Sequence, residues 1–273
     1  MTDRYAVFGN PARPSKSPMI HGAYARATGQ DMTYEVIEPP IDGFAAAVHA
    51  FRAAGGRGGN VTTPFKLEAY ALATDRSERA RLAGAANALR FGGDRIEAEN
   101  FDGLGLVNDI ERNLSFAIAR RRVLLLGAGG AVRGLLLPFL EKKPALLVIA
   151  NRTIAKAKAL GDAFAGYGNL AAGGYADLGD AAFDLVVNAT SASMHAELPP
   201  IPGGAFAAGG LAYDLVYGKG LTPLLRLARD AGAGRVADGV GMLVEQAAEG
   251  FAWWRGVRPD TREMIEALTV PLV

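Results

Sequence analysis

The sequence contains no cysteine. This absence excludes disulfide bonds, thiolate metal sites and cysteine nucleophiles. It leaves the redox compartment undecided, and a reducing cytoplasm is the default expectation. The three histidines, His21, His49 and His195, are scattered along the chain instead of clustered. We therefore predict no metal site, and we expect no histidine in the functional site.

The chain also carries little net charge, +1 at pH 7. So small a charge creates no broad field that would attract nucleic acid or an anionic membrane. Glycine, proline and charged residues interrupt every apolar stretch before it reaches the roughly 20 residues that a membrane-spanning helix needs. The first residues run directly into a predicted strand at Tyr5, without the apolar region of a signal peptide. We expect a soluble, cytoplasmic protein whose partner is a small molecule, with no nucleic acid and no membrane partner.

Glycine, in contrast, is abundant, at 35 of 273 residues, above the usual share of about 7%. Short apolar strands alternate with helical stretches in both halves of the chain, which indicates an α/β fold. We predict two domains. Residues 1–101 would form an N-terminal α/β substrate domain to which C-terminal helices within 239–273 return, and residues 102–238 would form a doubly wound Rossmann domain.

Apolar periodicity indicates the individual elements. The predicted strands are 5–8, 32–37, 58–61, 87–91, 95–98, 123–126, 145–150, 169–172, 183–187 and 211–216. The predicted helices include a first one beginning near Ser17, then 44–54, 64–73, 77–82, 102–114, 131–140 and one ending near Phe164. No strand is expected after Val236, where two amphipathic helices, 240–254 and 261–268, complete the chain.

A glycine turn follows the predicted strand 123–126 and precedes a helix. Glycines let the backbone turn tightly and approach a ligand closely, while the first amides of the helix have no internal partner and attract a phosphate. The predicted phosphate contacts are Gly127, Ala128, Gly129, Gly130 and Ala131. Taken alone this turn is a weak signal, because Val132 stands where G-x-G-x-x-G requires its third glycine.

The end of the next strand indicates which dinucleotide binds. An NAD site places an acidic residue about 20 residues after the glycines, whereas this sequence has Asn151, Arg152 and Thr153 there. Arg152 suits a 2′-phosphate, and Lys156 adds positive charge one helical turn later, so NADP is the predicted cofactor. In the alternative interpretation Asn151 is a turn residue, Thr153 a helix cap and Arg152 a solvated surface charge.

Polar residues also follow the first and third predicted strands. Ser15 and Ser17 follow the first strand, and Thr62 and Lys66 follow the third. Ligands bind at the carboxyl ends of strands in open α/β sheets, so these residues are site candidates. Lys66 begins a helix, where a cation requires a partner, and Asp102 could be that partner. The alternatives are a capping Ser17, a turn-forming Thr62, a solvated Lys66 and a helix-capping Asp102.

In order and content, these motifs resemble those of the shikimate dehydrogenase family, which includes quinate/shikimate dehydrogenases. The segments that carry the resemblance are 10–18, 60–66, 84–87, 100–103, 127–131, 151–153, 188–191, 213–217 and 238–247. The resemblance implies NADP-dependent, reversible reduction of 3-dehydroshikimate to shikimate by a monomer or homodimer. It also implies that Lys66 and Asp102 handle the proton.

The resemblance assigns further residues to the site. Ser15 and Ser17 would hold the substrate carboxylate. The other implied substrate contacts are Thr62, Asn87, Phe101, Tyr217 and Gln246. Besides the phosphate turn and residues Asn151, Arg152, Thr153 and Lys156, the implied cofactor contacts are Thr190, Val216 and Gly239.

Three positions depart from the family pattern: Ala88, Phe101 and Ser193. Phe101 replaces a threonine beside Asp102, so it either crowds the substrate ring or packs beneath the helix that begins at Asp102. The first interpretation leaves open a quinate or other polyol-acid dehydrogenase. A nucleotide-binding sensor without catalytic activity is a further alternative, although such a protein would have no need of both Lys66 and Asp102.

Overall fold

The alternation of apolar strands with helices produces two sheets, each in its own part of the chain. The computed structural model describes residues 2–272. One compact unit comprises Met1–Gly105 and Val244–Met264, and a second comprises Leu106–Leu243 and Ile265–Val273. This architecture confirms the predicted α/β fold, with a C-terminal helical segment belonging to the first unit. The assignment of substrate and cofactor to separate domains stays a prediction.

The first unit contains a six-stranded mixed sheet in the order β2-β1-β3-β5-β6-β4. Its strands are β1 Asp3–Phe8, β2 Met32–Ile37, β3 Gly56–Val61, β4 Asp75–Arg76, β5 Ala88–Gly92 and β6 Arg95–Glu99. β1 lies between β2 and β3 and is parallel to both, and β5 and β6 form an antiparallel hairpin. Because Phe8 and Val61 are in register at the ends of β1 and β3, the loops that follow leave the same edge of the sheet.

The second unit contains a six-stranded parallel sheet in the order β12-β11-β10-β7-β8-β9. Its strands are β7 Arg122–Leu126, β8 Leu146–Ala150, β9 Leu170–Gly173, β10 Phe183–Asn188, β11 Phe206–Asp214 and β12 Arg235–Asp238. The strand order reverses between β7 and β10. In doubly wound sheets the ligand crevice lies at the carboxyl ends of the strands at this reversal.

Helices cover both sheets. They are α1 Ser17–Thr28, α2 Phe44–Ala53, α3 Lys66–Leu72, α4 Glu78–Ala83, α5 Asp102–Asn108, α6 Gly130–Glu141, α7 Ile154–Phe164, α8 Pro223–Asp230, α9 Val240–Arg255 and α10 Arg262–Leu268. The predicted helix 102–114 is α5 followed by a π-helical turn, Asp109–Asn113. Within residues 2–272, no helix has both the length and the apolar character needed to cross a membrane.

Candidate active site

The glycine turn after β7 is exposed to solvent where α6 begins. Gly127 has a φ of 113°, a left-handed conformation that favours glycine. Gly129 occupies the N-cap position of α6 and provides no side-chain cap. A Cβ atom at Gly129 or Gly130 would meet nothing within 4 Å. The first amides of α6 are therefore accessible to an anion, which fits a dinucleotide pyrophosphate.

A cavity of about 360 Å³ adjoins this turn and is lined by Asn151, Arg152, Thr190 and the loop 197–200. Arg152, just after β8, is exposed. Lys156, on α7, is also exposed. Asn151 Nδ2 donates to the Thr153 carbonyl at 3.0 Å, and Thr153 is the N-cap residue of α7 without a side-chain cap bond. Thus Asn151 and Thr153 shape the turn, and the exposed Arg152 side chain lines the cavity.

The sequence analysis missed Tyr175, which also lines this cavity. Burial raises the pKa of Tyr175, and the positive charge of Arg152 acts in the opposite direction. The tyrosine follows β9 in a short 3₁₀ turn, Tyr175–Leu178. An aromatic residue just after a strand of the Rossmann sheet was the available signal, but periodicity alone does not separate it from a core residue.

Three neighbouring strands of the second sheet end in buried polar residues: Asn188, Asp214 and Asp238. Asn188 Oδ1 accepts hydrogen bonds from the Thr190 amide (3.1 Å) and hydroxyl (2.7 Å). Asp214 Oδ1 accepts from the Val216 amide at 3.1 Å. These contacts hold the loops that carry two of the implied cofactor residues.

Asp238 holds its neighbouring backbone in the same way, by accepting hydrogen bonds from amides. It accepts hydrogen bonds from the amides of Gly218 and Val240, each at 3.2 Å. The third implied cofactor residue, Gly239, lies between them in sequence, and a Cβ there would come within 2.2 Å of the Leu215 carbonyl oxygen. Burial raises the pKa of Asp238. Tyr217, an implied substrate contact, lies in this second unit and is 42% exposed.

In the first unit, the structure brings Lys66 and Asp102 together. Lys66 begins α3 and Asp102 begins α5. Lys66 Nζ lies 2.6 Å from Asp102 Oδ2, and the two side chains are 33% and 17% exposed. The suggested pair therefore exists, and its partial exposure leaves the ammonium group accessible to a ligand. An ammonium held by a carboxylate can exchange a proton with a ligand oxygen.

Asn87 joins this pair to α9. Its Nδ2 donates to Asp102 Oδ1 at 2.7 Å and to Gln246 Oε1 at 3.4 Å, while its Oδ1 accepts from the Phe101 amide at 2.9 Å. A Cβ at Gly105 would lie 2.7 Å from the backbone nitrogen of Gln246. This close approach of α5 to α9 lets three of the implied site residues, Asn87, Asp102 and Gln246, share one cluster.

The two serines lie where α1 begins. Ser15 Oγ donates to Ser17 Oγ at 3.1 Å, and the Ser17 amide donates to Ser15 Oγ at 3.2 Å. Lys16 holds the N-cap position, so the capping interpretation of Ser17 is wrong. Thr62, just after β3, is half-buried, and its amide donates to the Phe8 carbonyl at 2.9 Å.

The Phe101 ring is 4% exposed and packs among side chains of its own unit. It lies edge-on to the Trp253 ring at 5.8 Å, and the Arg79 guanidinium lies 5.8 Å from its centroid. This packing favours the interpretation of Phe101 as a core residue beneath α5. A contact between its ring and a substrate stays a prediction.

Comparison with known proteins places this geometry in a family. Three family models match the chain: the shikimate dehydrogenase substrate binding domain over residues 7–89, shikimate / quinate 5-dehydrogenase over 110–196, and the shikimate 5′-dehydrogenase C-terminal domain over 239–269. A curated relative from Nitrosospira multiformis, named shikimate dehydrogenase (NADP(+)), is 57% identical over 98% of both chains.

Two solved structures extend the comparison. An Ael1 enzyme from Pseudomonas putida is 60% identical, with a TM-score of 0.96 over 100% of both chains. Shikimate 5-dehydrogenase from Thermus thermophilus, solved in complex with NADP(H) and shikimate, is 30% identical, with a TM-score of 0.86 over 98% of both chains. Because the similarity extends over the whole chain, this protein belongs to the shikimate dehydrogenase family.

Proposed function

We propose that the protein catalyses the NADP-dependent, reversible reduction of 3-dehydroshikimate to shikimate. The observation that carries the proposal is the 2.6 Å pair of Lys66 and Asp102 in a chain of this family. A nucleotide-binding sensor would have no use for an accessible lysine held by a carboxylate. The pair therefore favours an enzyme over a sensor.

Lys66 transfers the proton. In the reductive direction its ammonium donates a proton to the ketone oxygen, and in the oxidative direction the neutral amine accepts the proton of the hydroxyl group. Asp102 holds the ammonium in place, and Asn87 in turn holds Asp102 through its second oxygen. Ser15 and Ser17 bind the substrate carboxylate, while Thr62, Tyr217 and Gln246 address its carboxylate and ring hydroxyls.

The residues of the second unit fit NADP. The open glycine turn suits the pyrophosphate, and the exposed Arg152 and Lys156 suit the 2′-phosphate. Thr190, Val216 and Gly239 are the remaining proposed contacts. When bound, the nicotinamide of NADP(H) supplies or accepts the hydride.

A second candidate is oxidation of quinate or another polyol acid. Phe101 motivates it, because the family pattern has a threonine beside the catalytic aspartate. The buried packing of the ring weakens this motive, since the side chain fills space in the first unit.

Initial rates of NADP⁺ reduction with shikimate, quinate and a panel of cyclohexane polyol acids test both candidates. We expect shikimate to have the highest kcat/KM, and the same assay with NAD⁺ to be much slower. A higher kcat/KM for quinate would favour the second candidate. No turnover of any polyol acid would contradict both.

The proposal includes a cytoplasmic location and a monomeric or homodimeric state. The cytoplasmic location is the default expectation for this chain, and the oligomeric state rests on the family resemblance alone. Size-exclusion chromatography with light scattering measures the mass of the particle against the 28.5 kDa of one chain.

A further inference from the structure

A buried carboxylate joins two loops of the second unit. Asp214, at the end of β11, is fully buried. Its Oδ2 accepts hydrogen bonds from Ser193 Oγ at 2.5 Å and from Thr222 Oγ1 at 2.7 Å. Asn188 Nδ2 lies 3.2 Å from each carboxylate oxygen, and Oδ1 also accepts from the Val216 amide. A buried carboxylate needs donors of this kind, so the segments that carry them are held at Asp214.

Ser193 is the donor that the loop after β10 supplies. It lies in the 3₁₀ turn Ala192–His195 and is 6% exposed. Asn188 Oδ1 accepts from the Thr190 amide, so Asn188 Nδ2 faces Ser193 and donates to its Oγ at 3.0 Å. The amide nitrogen can only donate, and a carboxylate can only accept. The single hydroxyl proton of Ser193 is therefore committed to Asp214.

The bond between Ser193 and the carboxylate also steadies Thr190. Thr190 Oγ1 accepts a hydrogen bond at 3.2 Å from the amide of Ala192, which precedes Ser193 in sequence. The two residues that follow Ser193, Met194 and His195, are exposed, so apolar packing adds little to the turn. Without the Ser193 hydroxyl group the turn would lose this bond to β11, and Thr190 would move with the turn.

We propose that Ser193 is a positioning residue that holds the loop 189–196, which carries Thr190, ready for NADP before the cofactor binds. The inference rests on the proposed function, because Thr190 and Val216 are cofactor contacts there. Asp214 holds Val216 through Oδ1 and the turn of Ser193 through Oδ2, so one side chain places both contacts. A loop that is already ordered adds no ordering cost to binding. Ser193 departs from the family pattern, so the family resemblance assigns it no role.

Calorimetric titration of Ser193→Ala with NADP⁺ and with NAD⁺ tests this role. The substitution removes only the hydroxyl group. We expect the Kd for NADP⁺ to rise about threefold to tenfold, which corresponds to ordering about one more side chain on binding. The Kd for NAD⁺ should rise by the same factor, because Thr190 and Val216 are not assigned to the 2′-phosphate. Arg152→Ala, in contrast, should weaken the binding of NADP⁺ alone.

Thr261→Val is the matched control for the loss of a buried hydroxyl group. Thr261 is also 6% exposed, and its Oγ1 donates to the buried carboxylate of Glu245 at 2.6 Å, but both residues lie in the first unit. This variant should lose stability as Ser193→Ala does, while its Kd for NADP⁺ stays at the wild-type value. An unchanged Kd in Ser193→Ala, a loss confined to NADP⁺, or an equal rise in Thr261→Val would overturn the proposal.

Hydrogen–deuterium exchange of the free protein tests the order of the loop itself. The amides of Met194, Ala196 and Glu197 donate to carbonyls of residues 191–193 and serve as reporters. They should exchange faster in Ser193→Ala than in the wild type, and saturating NADP⁺ should remove the difference. Equal exchange in the two free proteins would overturn the proposal.

Failure of the proposed function has a different signature. The wild-type protein would then turn over neither shikimate nor another polyol acid. Titration and hydrogen exchange need no turnover, so both would still decide the role of Ser193.

Discussion

Removing the Lys66 ammonium tests the proton step directly. We expect Lys66→Ala to lower kcat about 10²-fold to 10⁴-fold, the usual contribution of a positioned acid–base group, with little effect on the KM for NADP⁺. Single-turnover and steady-state rates at saturating shikimate measure the loss. Lys158→Ala is the control, because it removes an exposed lysine from the other unit and should spare kcat. A Lys66→Ala enzyme within a few-fold of wild-type turnover would remove Lys66 from the mechanism.

We expect Arg152 to determine the preference for NADP over NAD. A charge-assisted hydrogen bond to the 2′-phosphate contributes about 1.5–3 kcal/mol, so Arg152→Ala should raise the KM for NADP⁺ about tenfold or more. The KM for NAD⁺, which lacks that phosphate, should stay nearly constant. Kinetics with both cofactors on the same preparation measure the difference. Equal losses would show that Arg152 does not recognise the phosphate.

Because Phe101 is buried, we expect its replacement to change the stability of the protein more than its activity. Phe101→Thr leaves a cavity between Trp253 and Arg79, and we expect a loss of about 3 kcal/mol in the free energy of unfolding. Phe101→Leu should lose less, because it fills more of the space. Urea unfolding and shikimate kinetics on the same variants are the measurements. Unchanged stability with a higher kcat/KM for shikimate would instead identify Phe101 as a substrate contact.

The close approach of α5 and α9 depends on Gly105, and its replacement tests the packing of these two helices. The Cβ of Gly105→Ala would overlap the backbone of Gln246, so the helices must separate. We expect lower stability and lower kcat, since Asp102 and Gln246 lie on these helices. Gly22→Ala, within α1, is the control: its Cβ would lie 3.5 Å from the Arg26 side chain, an ordinary contact, and alanine favours a helix by about 0.5–1 kcal/mol over glycine. A Gly105→Ala protein as stable and active as wild type would contradict this account.

Most strands and helices were predictable from their apolar period, but two short elements near the end of the second sheet were not. The strand 32–37 was predicted with its observed bounds, and the strand before the glycine turn to within one residue. Helix α8 and strand β12 were missed. Helix α8 contains three charged residues among eight, and β12 has four residues with a charge at each end. Such short elements depend on their neighbours in the sheet for stability more than on their own pattern.

The residues of the candidate site were likewise predictable only in part. Turn chemistry and strand ends indicated Ser15, Lys66 and Arg152, because each lies at a point where a core residue is not required. His21 was assigned no role, since a histidine within a helical stretch carries no sign of its partners. Its contact with Asn60 joins residues 39 positions apart and depends on how α1 packs on the sheet. Sequence periodicity contains no information of that kind.

His21 also affects the pH dependence of the whole molecule. Its pKa falls from 6.5 to about 3 on folding, so the unfolded chain binds one more proton between these values. The free energy of unfolding should therefore fall as the pH is lowered through this window, by up to about 1.4 kcal/mol per pH unit from this residue. Urea unfolding at pH 4 to 7 should show a shallower slope in His21→Gln. His49→Gln, at an exposed position of α2, should keep the wild-type slope, and equal slopes in all three proteins would contradict the assignment.

The two tryptophans have a practical consequence for all of these measurements. Trp253 and Trp254 are the only tryptophans of the chain, and both lie in the part of α9 that belongs to the first unit. Trp254 stacks on Tyr5 at 4.8 Å, and Trp253 packs on Phe101. Indole fluorescence therefore reports on the first unit alone, because the second unit contains no tryptophan. If the units melt separately, emission and far-ultraviolet circular dichroism will give different midpoints, and their difference will measure the cooperativity between the two units without any label.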